Sequence, residues 1–493
     1  MIKDALVKDT ILYGGSDFIL KVIAFAVFPI YTHLFSVAEY GIIGLIGTIA
    51  GLVGLFLNLG LNSAAQRFYF DPETPETDRP ALISTGLWII SAWSILFSAL
   101  LCVGLLFFRD YLNTNYGIPL IFLVLALLTN IPTQIGQYCL DAIRLQFAPA
   151  KFFVVSFLQN IAGIIFQLLL IVIFGLGLLG YYLGSLIAIV IAMPVGLWAI
   201  KKDLSPSFDP AYAKTLVSYG YPFIFAGIGY WVFGSIDRIM LAGFTDLTQV
   251  GLYSISFTIC VVLTFVNTAF GNAWSPFVIK LYKEEANYRE IVSQVLSVWF
   301  FCLAVLGIGL ILFAKELLIL TTPASYWPAA SVLSILAIGL VLSGTTQITG
   351  LGISLEKKTH LFTWATWTTA VLNICLNYFF IPRWGALGAA MATTASYTCL
   401  TAMYLYWSQR LHPIPLEVSR LAMTVACITI ISVFAVFVNM LDLTRWVEIA
   451  KIIAFGLIIF TGFRLGLIPK DLPEIVKTFI FEIIRRKKKE ESP

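Results

Sequence analysis

The amino-acid sequence predicts an all-α polytopic membrane protein with about fourteen transmembrane helices. Hydrophobic residues make up 59% of the chain and charged residues 12%, whereas soluble domains carry roughly 25% charged residues. Residues 80–108, 111–140 and 384–409 contain no Asp, Glu, Lys or Arg. Because about 20 apolar residues cross the hydrocarbon core of a bilayer, each of these runs is long enough to span it. We therefore expect most of the chain to contact lipid.

The apolar runs define the helices in chain order. The first run is too long for the apolar core of a cleavable signal peptide, which has about 7–15 residues, so we expect it to remain as a helix. The run 152–200 carries no charge and is long enough for two spans, with a turn at Gly175 and Gly177. The predicted spans are 11–35, 40–63, 82–108, 117–139, 151–173, 178–200, 216–243, 249–271, 291–314, 328–352, 361–381, 385–407, 419–440 and 446–465.

The distribution of Lys and Arg sets the orientation, because cytoplasmic segments carry an excess of positive charge. With the N-terminus inside, 24 of the 31 Lys and Arg residues belong to inner segments and five, including Lys451, to outer segments. The remaining two, Lys21 and Arg238, lie within predicted spans. The sequence therefore predicts that both termini are cytoplasmic.

Two landmarks repeat at an offset of about 207 residues. The Tyr-Gly pair at 13–14 matches the pair at 219–220, and Gly-Leu-Leu-Gly at 177–180 matches Gly-Ala-Leu-Gly at 385–388. Two halves with an even number of helices enter the membrane in the same orientation, which makes them parallel repeats. Chance recurrence of glycine-rich hairpins is the alternative. Repeated bundles suit alternating access around a site at the midplane, so the repeat favours a transporter.

The repeat predicts four parts of the chain. In the last part, apolar residues fall on one helical face and precede the basic run 485–489, which is typical of an amphipathic helix on anionic lipid. Topology-setting charge explains the basic run equally well. The predicted parts are an N-terminal six-helix lobe over 1–203, a C-terminal six-helix lobe over 204–412, helices 13 and 14 over 413–466, and a cytoplasmic amphipathic basic tail over 467–493.

The sequence offers little support for catalysis or a metal centre. The seven cysteines are scattered without CxxC spacing, and His33, His360 and His412 lie far apart. No glycine-rich phosphate-binding loop is present, which leaves a built-in ATPase unsupported. We therefore expect no cofactor and no nucleic-acid partner, with proton or sodium coupling as the candidate energy source.

The chain resembles the polysaccharide-export branch of the multidrug/oligosaccharidyl-lipid/polysaccharide (MOP) exporter superfamily, the Wzx-type O-antigen flippases. The resemblance extends over nearly the whole chain. The segments that carry it are Glu-Tyr-Gly at 39–41, Leu-Gly-Leu-Asn-Ser-Ala-Ala-Gln-Arg-Phe-Tyr-Phe-Asp at 59–71, Tyr-Gly-Tyr-Pro at 219–222, Asp-Arg-Ile-Met-Leu at 237–241, Val-Gly-Leu-Tyr-Ser at 250–254 and Ala-Trp-Ser-Pro-Phe at 273–277.

This resemblance implies two parallel six-helix lobes, as in multidrug-and-toxin (MATE) exporters, around a cavity lined by helices 1, 2, 7 and 8. It implies a flippase of the bacterial inner membrane that moves an undecaprenyl-diphosphate-linked O-antigen or exopolysaccharide repeat unit. The expected partners are the lipid-linked oligosaccharide, membrane lipids, and a polysaccharide polymerase with other export-pathway proteins; we expect a monomer.

Ionisable residues inside spans are costly and are therefore candidate functional residues. Lys21 lies about ten residues into the first predicted helix, and Asp17 precedes it by one helical turn. Either the pair neutralises itself, or the substrate diphosphate competes for Lys21. Lys21 would also keep Asp17 charged, which makes Asp17 a weak proton carrier.

Asp237 and Arg238 lie in the seventh predicted helix. Adjacent helical residues point about 100° apart, so we expect that the two cannot face one partner. Arg238 suits a diphosphate because its guanidinium donates paired hydrogen bonds, although it could also extend to the interface. Asp237 is then the better candidate for ion coupling.

A polar stripe follows the second predicted helix. Asn58, Asn62 and Gln66 have i, i+4, i+8 spacing and precede Arg67. Such a stripe lines a wet cavity or hydrogen-bonds neighbouring helices, and we interpret Asn62, Gln66 and Arg67 as substrate-binding residues. Asn373 and Asn377 form a similar pair on the eleventh helix, where helix packing is the simpler interpretation.

Three alternative functions compete with this prediction. A cation-coupled multidrug exporter favours cationic substrates and acidic cavities, whereas the deep charges here include Lys21 and Arg238. A lipid II flippase resembles this chain in having fourteen helices, with the last two forming a groove for the lipid tail, but it usually carries several cations in helix 1. A membrane glycosyltransferase or ligase would need a soluble catalytic domain or a large outer loop, so we expect no enzyme.

Overall fold

The computed structural model describes residues 19–110, 114, 117–439 and 445–464. Helices account for nearly all regular structure in these ranges, and no strand occurs within them. The all-α prediction is therefore confirmed. Asp17, the Tyr-Gly pair at 13–14 and the tail over 467–493 lie outside the described residues.

The first half of the chain contains seven helices within the described residues. In chain order they are α1 (Ile19–Leu34), α2 (Val37–Asn58), α3 (Leu61–Tyr69), α4 (Arg79–Phe107), α5 (Leu120–Leu145), α6 (Pro149–Leu168, extended by a π turn at Leu169–Ile173) and α7 (Gly177–Ala199).

The helices of the second half are α8 (Pro210–Gly220), α9 (Pro222–Phe244), α10 (Leu247–Glu284), α11 (Tyr288–Leu312), α12 (Ala314–Thr321), α13 (Ala329–Ser343), α14 (Thr346–Thr349), α15 (Leu351–Leu355), α16 (His360–Leu411), α17 (Val418–Asn439) and α18 (Arg445–Arg464).

Lengths and composition identify the membrane-crossing helices. Within the described ranges, nine helical segments are long and apolar enough to span a bilayer, and α1 and the part of α17 over Val418–Ser432 are shorter apolar helices. The chain is therefore a multi-pass membrane protein. The count of fourteen spans stays a prediction.

The second predicted span is interrupted near its C-terminal end. Helix α2 begins with a capping box between Ser36 and Glu39, and it ends at Asn58. Leu59 and Gly60 then adopt left-handed conformations with φ of 52° and 68°, which cannot continue a right-handed helix. The prediction of one continuous stripe is therefore wrong, because Asn58 lies on α2 whereas Asn62 and Gln66 lie on α3.

Helix α16 contains the predicted spans 361–381 and 385–407 in one assigned helix of 52 residues. Gly385 interrupts it with φ of 53° and ψ of −131°, a conformation that only glycine adopts readily. Asn373 and Asn377 lie in the segment before this kink.

The chain folds into two compact units. The first comprises Met1–Ile255, Ile319–Ala329 and Thr366–Ala392, and the second comprises Ser256–Leu318, Ala330–Ala365 and Thr393–Pro493. Each unit therefore combines segments that are distant in sequence. The boundaries of the predicted lobes at 203 and 412 stay predictions.

The second unit contains a buried ion pair that the sequence pattern does not predict. Lys451 lies on α18 with a fully buried side chain, and its Nζ is 2.7 Å from the Glu316 carboxylate on α12. Lys451 therefore lies within a helix and is paired there, and its side of the membrane stays a prediction. A cation seven residues into an apolar helix resembles an interfacial charge until its tertiary partner is known.

Close backbone approach holds α2 against the start of α10 in the first unit. A Cβ atom built on Gly41 would lie 2.0 Å from the Leu247 carbonyl oxygen, and one built on Gly251 would lie 2.0 Å from the Val37 carbonyl oxygen. Small residues allow the backbones of membrane helices to approach this closely. Such close packing attracts the helices to each other, because no hydrophobic driving force brings them together in lipid.

We predict that Gly41→Ala destabilises the protein, because the added methyl group must displace a backbone carbonyl. The expected cost is about 1–3 kcal/mol, measured as a lower thermal midpoint of the purified protein in detergent. Gly47→Ala on the same helix is the matched control, because no heavy atom of another described segment lies within 4 Å of the position its Cβ would occupy. Equal midpoints for the two variants would contradict the packing described here.

Candidate functional site

The Asp237 carboxylate is the centre of a buried polar cluster in the first unit. Asp237 lies on α9 and is 1% exposed. The Tyr253 hydroxyl of α10 donates a hydrogen bond to its Oδ2 at 2.6 Å, and the Asn377 amide of α16 donates to its Oδ1. Two consecutive helices and a third that is distant in sequence therefore position one ionisable group.

Asn373 extends this cluster by one helical turn. Its Oδ1 accepts a hydrogen bond from Asn377 Nδ2 at 2.9 Å, and both asparagines are fully buried. Asn377 Oδ1 and Asn373 Nδ2 are buried without a hydrogen-bond partner among the described residues. The pair therefore provides more than helix packing, since it presents an amide donor to Asp237 and an open carbonyl oxygen beside it.

Arg238 contacts the same tyrosine as Asp237. Its guanidinium carbon lies 5.4 Å from the centroid of the Tyr253 ring, a distance at which cation–π attraction operates. The expectation that Asp237 and Arg238 cannot face one partner is therefore wrong. Tyr253 is long enough to receive Arg238 on its ring and to donate its hydroxyl to Asp237.

Lys21 lies on α1 with an exposed side chain. Its predicted ion pair with Asp17 lies outside the described residues. The role of Lys21 in substrate binding stays a prediction.

A second polar cluster surrounds Asp141, near the end of α5. Asn62 on α3 donates a hydrogen bond to Asp141 Oδ2 at 2.6 Å, and Arg144 Nη1 lies 3.1 Å from Oδ1. Gln137 donates to the same carboxylate at 3.4 Å. Asp141 was not predicted as a functional residue, because the predicted span ends at residue 139 and a carboxylate just beyond it resembles an interfacial charge.

The Asp141 cluster continues a polar seam between α5 and the α2–α3 segment. Asn130 donates to a backbone carbonyl of α2 at 3.0 Å, and Asn58 donates to Gln134 Oε1 at 3.4 Å. The two predicted interpretations of the Asn58–Asn62 stripe thus both apply in part. The amide nitrogens bond to a neighbouring helix, while Asn62 also lines a small cavity.

The predicted cytoplasmic residues Gln66 and Arg67 differ in their surroundings. Both are exposed, but Gln66 lines the same cavity as Asn62. The exposed Arg67 instead forms an ion pair with Asp71, with 3.0 Å between Nη1 and Oδ2. The structure therefore brings Asn62 and Gln66 together, and Arg67 has a local partner that a substrate anion would have to displace.

Solved structures with the same fold include two kinds of membrane transporter. The lipid II flippase MurJ in an inward-closed conformation superimposes with a TM-score of 0.69, at 16% identity, over 92% of this chain and 98% of that chain. A MATE family multidrug transporter of the MOP superfamily in an inward-facing conformation gives a TM-score of 0.59, at 15% identity, over 81% and 94%. These similarities confirm the predicted fold.

Sequence relatives are similarly distant. The probable low-salt glycan biosynthesis flippase of Haloferax volcanii is 21% identical over 433 residues, which cover 87% of this chain and 89% of that protein. A protein of Shigella flexneri, named provisionally as an O-antigen transporter, is 24% identical over 227 residues, which cover 45% of this chain and 54% of that protein.

The sequence profile of a known family matches residues 6–282, which is more than half of the chain. The family description is polysaccharide biosynthesis protein. The expected resemblance to the polysaccharide-export branch is thereby confirmed. On this match, this chain belongs to the polysaccharide biosynthesis protein family.

Proposed function

We propose that this protein is a flippase that carries an undecaprenyl-diphosphate-linked oligosaccharide from the cytoplasmic to the outer leaflet of a bacterial inner membrane by alternating access. The observation that carries the proposal is the family match, together with a relative named as a glycan biosynthesis flippase that aligns with 87% of the chain. In this role both termini are cytoplasmic, and the protein breaks no covalent bond of its substrate.

The negative charge of the proposed substrate matches the two cations that lie within predicted spans. A diphosphate that leaves water needs fixed positive groups nearby, because an unpaired charge in a low-dielectric cavity is strongly disfavoured. Lys21 on α1 and Arg238 on α9 are the residues we assign to this role. The Arg238 guanidinium can donate paired hydrogen bonds to phosphate oxygens while its face stays near the Tyr253 ring.

A multidrug exporter is the second candidate, favoured by the fold similarity to the MATE transporter. Lys21 and Arg238 would repel the cationic substrates of such an exporter. A lipid II flippase shares the diphosphate carrier with the proposed substrate and differs in the sugar that it moves.

We assign ion coupling to Asp237. A proton or sodium ion bound there would neutralise the carboxylate and weaken its hydrogen bonds from Tyr253 and Asn377. Because Tyr253 also contacts Arg238, the change in charge would reach the proposed diphosphate site through one side chain. This shared contact is a physical route from the coupling ion to the substrate.

We predict that Lys21→Ala and Arg238→Ala each reduce surface polysaccharide about tenfold or more in a host from which the gene has been deleted, with normal amounts of protein in the membrane. The reason is that a hydrogen bond to a charged group contributes roughly 1.5–3 kcal/mol. Surface polysaccharide is measured by gel electrophoresis of cell extracts and by antibody or lectin binding to intact cells.

The matched control for the charge prediction is Lys280→Ala, which removes an exposed cation whose Nζ lies 3.5 Å from Glu284. It should leave export unchanged. Full export by the Lys21→Ala, Arg238→Ala double variant would show that neither cation binds the substrate anion.

We predict that Asp237→Asn abolishes the dependence of transport on an ion gradient in proteoliposomes. Asn has the shape to keep hydrogen-bonding Tyr253, but it cannot bind a proton or carry the charge that attracts sodium. Asp17→Asn should mainly reduce folding or yield. If gradient dependence survives in both variants, neither carboxylate couples transport to an ion.

A further inference from the structure

A cavity of about 220 Å³ lies between α3 and α5 in the first unit. It lies at the ends of α3 and α5 that the predicted topology places toward the cytoplasm, where a flippase takes up its substrate. At about 30 Å³ per water molecule, the volume corresponds to roughly seven waters, which is comparable with one sugar ring. Its polar lining consists of Asn62, Ser63, Gln66, Tyr138, Asp141 and Arg144.

The charged residues of this cavity, hereafter the Asp141 pocket, balance each other. Arg144 Nη1 lies 3.1 Å from Asp141 Oδ1, and Asn62 and Gln137 donate further hydrogen bonds to the carboxylate. A diphosphate would meet the Asp141 carboxylate, and a free metal cation would compete with the Arg144 guanidinium. The pocket therefore suits a neutral ligand.

Hydrogen-bonding groups on the pocket wall are available to such a ligand. Asn62 Oδ1 is buried and has no hydrogen-bond partner among the described residues, so it is an acceptor that lacks a donor. Gln66 and Arg144 are exposed at the pocket and provide donors. An ionised carboxylate has about four acceptor positions, so Asp141 can accept from a ligand beside its present donors.

A fixed wall limits the shape of the pocket. The Tyr138 side chain is 1% exposed and donates its hydroxyl to the Ile83 carbonyl oxygen at 3.2 Å. A Cβ on Gly86 would lie 2.1 Å from that hydroxyl oxygen, so glycine at this position makes room for the tyrosine. Buried contacts therefore fix the position of this wall, whereas an exposed side chain could change its conformation.

We infer that the Asp141 pocket binds one neutral sugar ring of the lipid-linked glycan during uptake from the cytoplasmic leaflet. Sugar hydroxyl groups both donate and accept hydrogen bonds, so they can donate to Asn62 Oδ1 and Asp141 and accept from Gln66 and Arg144. This inference rests on the proposed function and adds a site that recognises the glycan separately from the diphosphate.

The test compares two ligands on purified protein in detergent. One is the lipid-linked oligosaccharide extracted from a host that lacks the flippase gene, and the other is undecaprenyl diphosphate without sugar. Dissociation constants follow from the change in tryptophan fluorescence on titration. We expect the wild-type protein to bind the glycosylated lipid about tenfold more tightly, as one or two added hydrogen bonds predict.

The variants Asn62→Ala and Gln66→Ala should remove this preference and leave the affinity for undecaprenyl diphosphate unchanged. Gln66 is exposed, so its variant tests the site even if Asn62→Ala impairs folding. Asn58→Ala is the matched control, because Asn58 belongs to the same polar seam and does not line the pocket. It should keep the wild-type preference.

Two results would overturn the inference while leaving the proposed function intact: equal wild-type affinity for the two lipids, or an unchanged preference in both pocket variants. The proposed function itself fails in a different way, namely if the wild-type protein binds neither lipid.

Discussion

Hydrocarbon cannot form hydrogen bonds, and this property of the membrane governs where each buried polar side chain of the protein can lie. The Asp237 carboxylate on α9 is the clearest case. Its burial is tolerated because Tyr253 and Asn377 bring donors to it from α10 and α16. The same requirement explains why Lys451 lies beside Glu316 in the second unit. Polar groups in this chain therefore determine which helices must meet.

The pattern of apolar residues in the sequence predicted much of the fold. The charge-free runs predicted the helices because lipid tolerates few other sequences, and α4, α7 and α11 begin within a few residues of their predicted starts. The break at Leu59 and Gly60 was not predictable in this way. The interruption depends on the left-handed backbone conformation of two residues, which hydropathy does not report.

The candidate sites could likewise be predicted only in part from the sequence. Asp237 and Arg238 could be singled out because an ionisable residue inside an apolar helix is conspicuous. Their relation to Tyr253 and Asn377 could not be derived, since Asn377 is 140 residues from Asp237 in sequence and spacing rules apply only within one helix. Asp141 was not predicted as a site residue, for the opposite reason. A carboxylate at the end of an apolar run is ordinary, and only its contacts with Asn62 and Arg144 distinguish it.

In the proposed mechanism one polar cluster recognises the substrate and the other couples transport to an ion. The Asp141 pocket recognises the glycan at the uptake side, and Asp237 senses the coupling ion where Tyr253 links it to Arg238. Two separate sites are needed because the proposed substrate combines a neutral glycan with an anionic diphosphate. This division accounts for two carboxylates with different surroundings: Asp141 is paired with an arginine, and Asp237 accepts hydrogen bonds from a hydroxyl and an amide.

Reconstituted transport tests the central claim most directly. Purified protein would be placed in liposomes that contain lipid-linked oligosaccharide extracted from a host lacking the flippase gene, and a lectin added outside would report the glycan that reaches the outer surface. The account predicts that the accessible fraction rises with time well beyond that in liposomes without protein, and faster when an ion gradient is imposed. An accessible fraction equal to that of protein-free liposomes, from folded and correctly inserted protein, would contradict it.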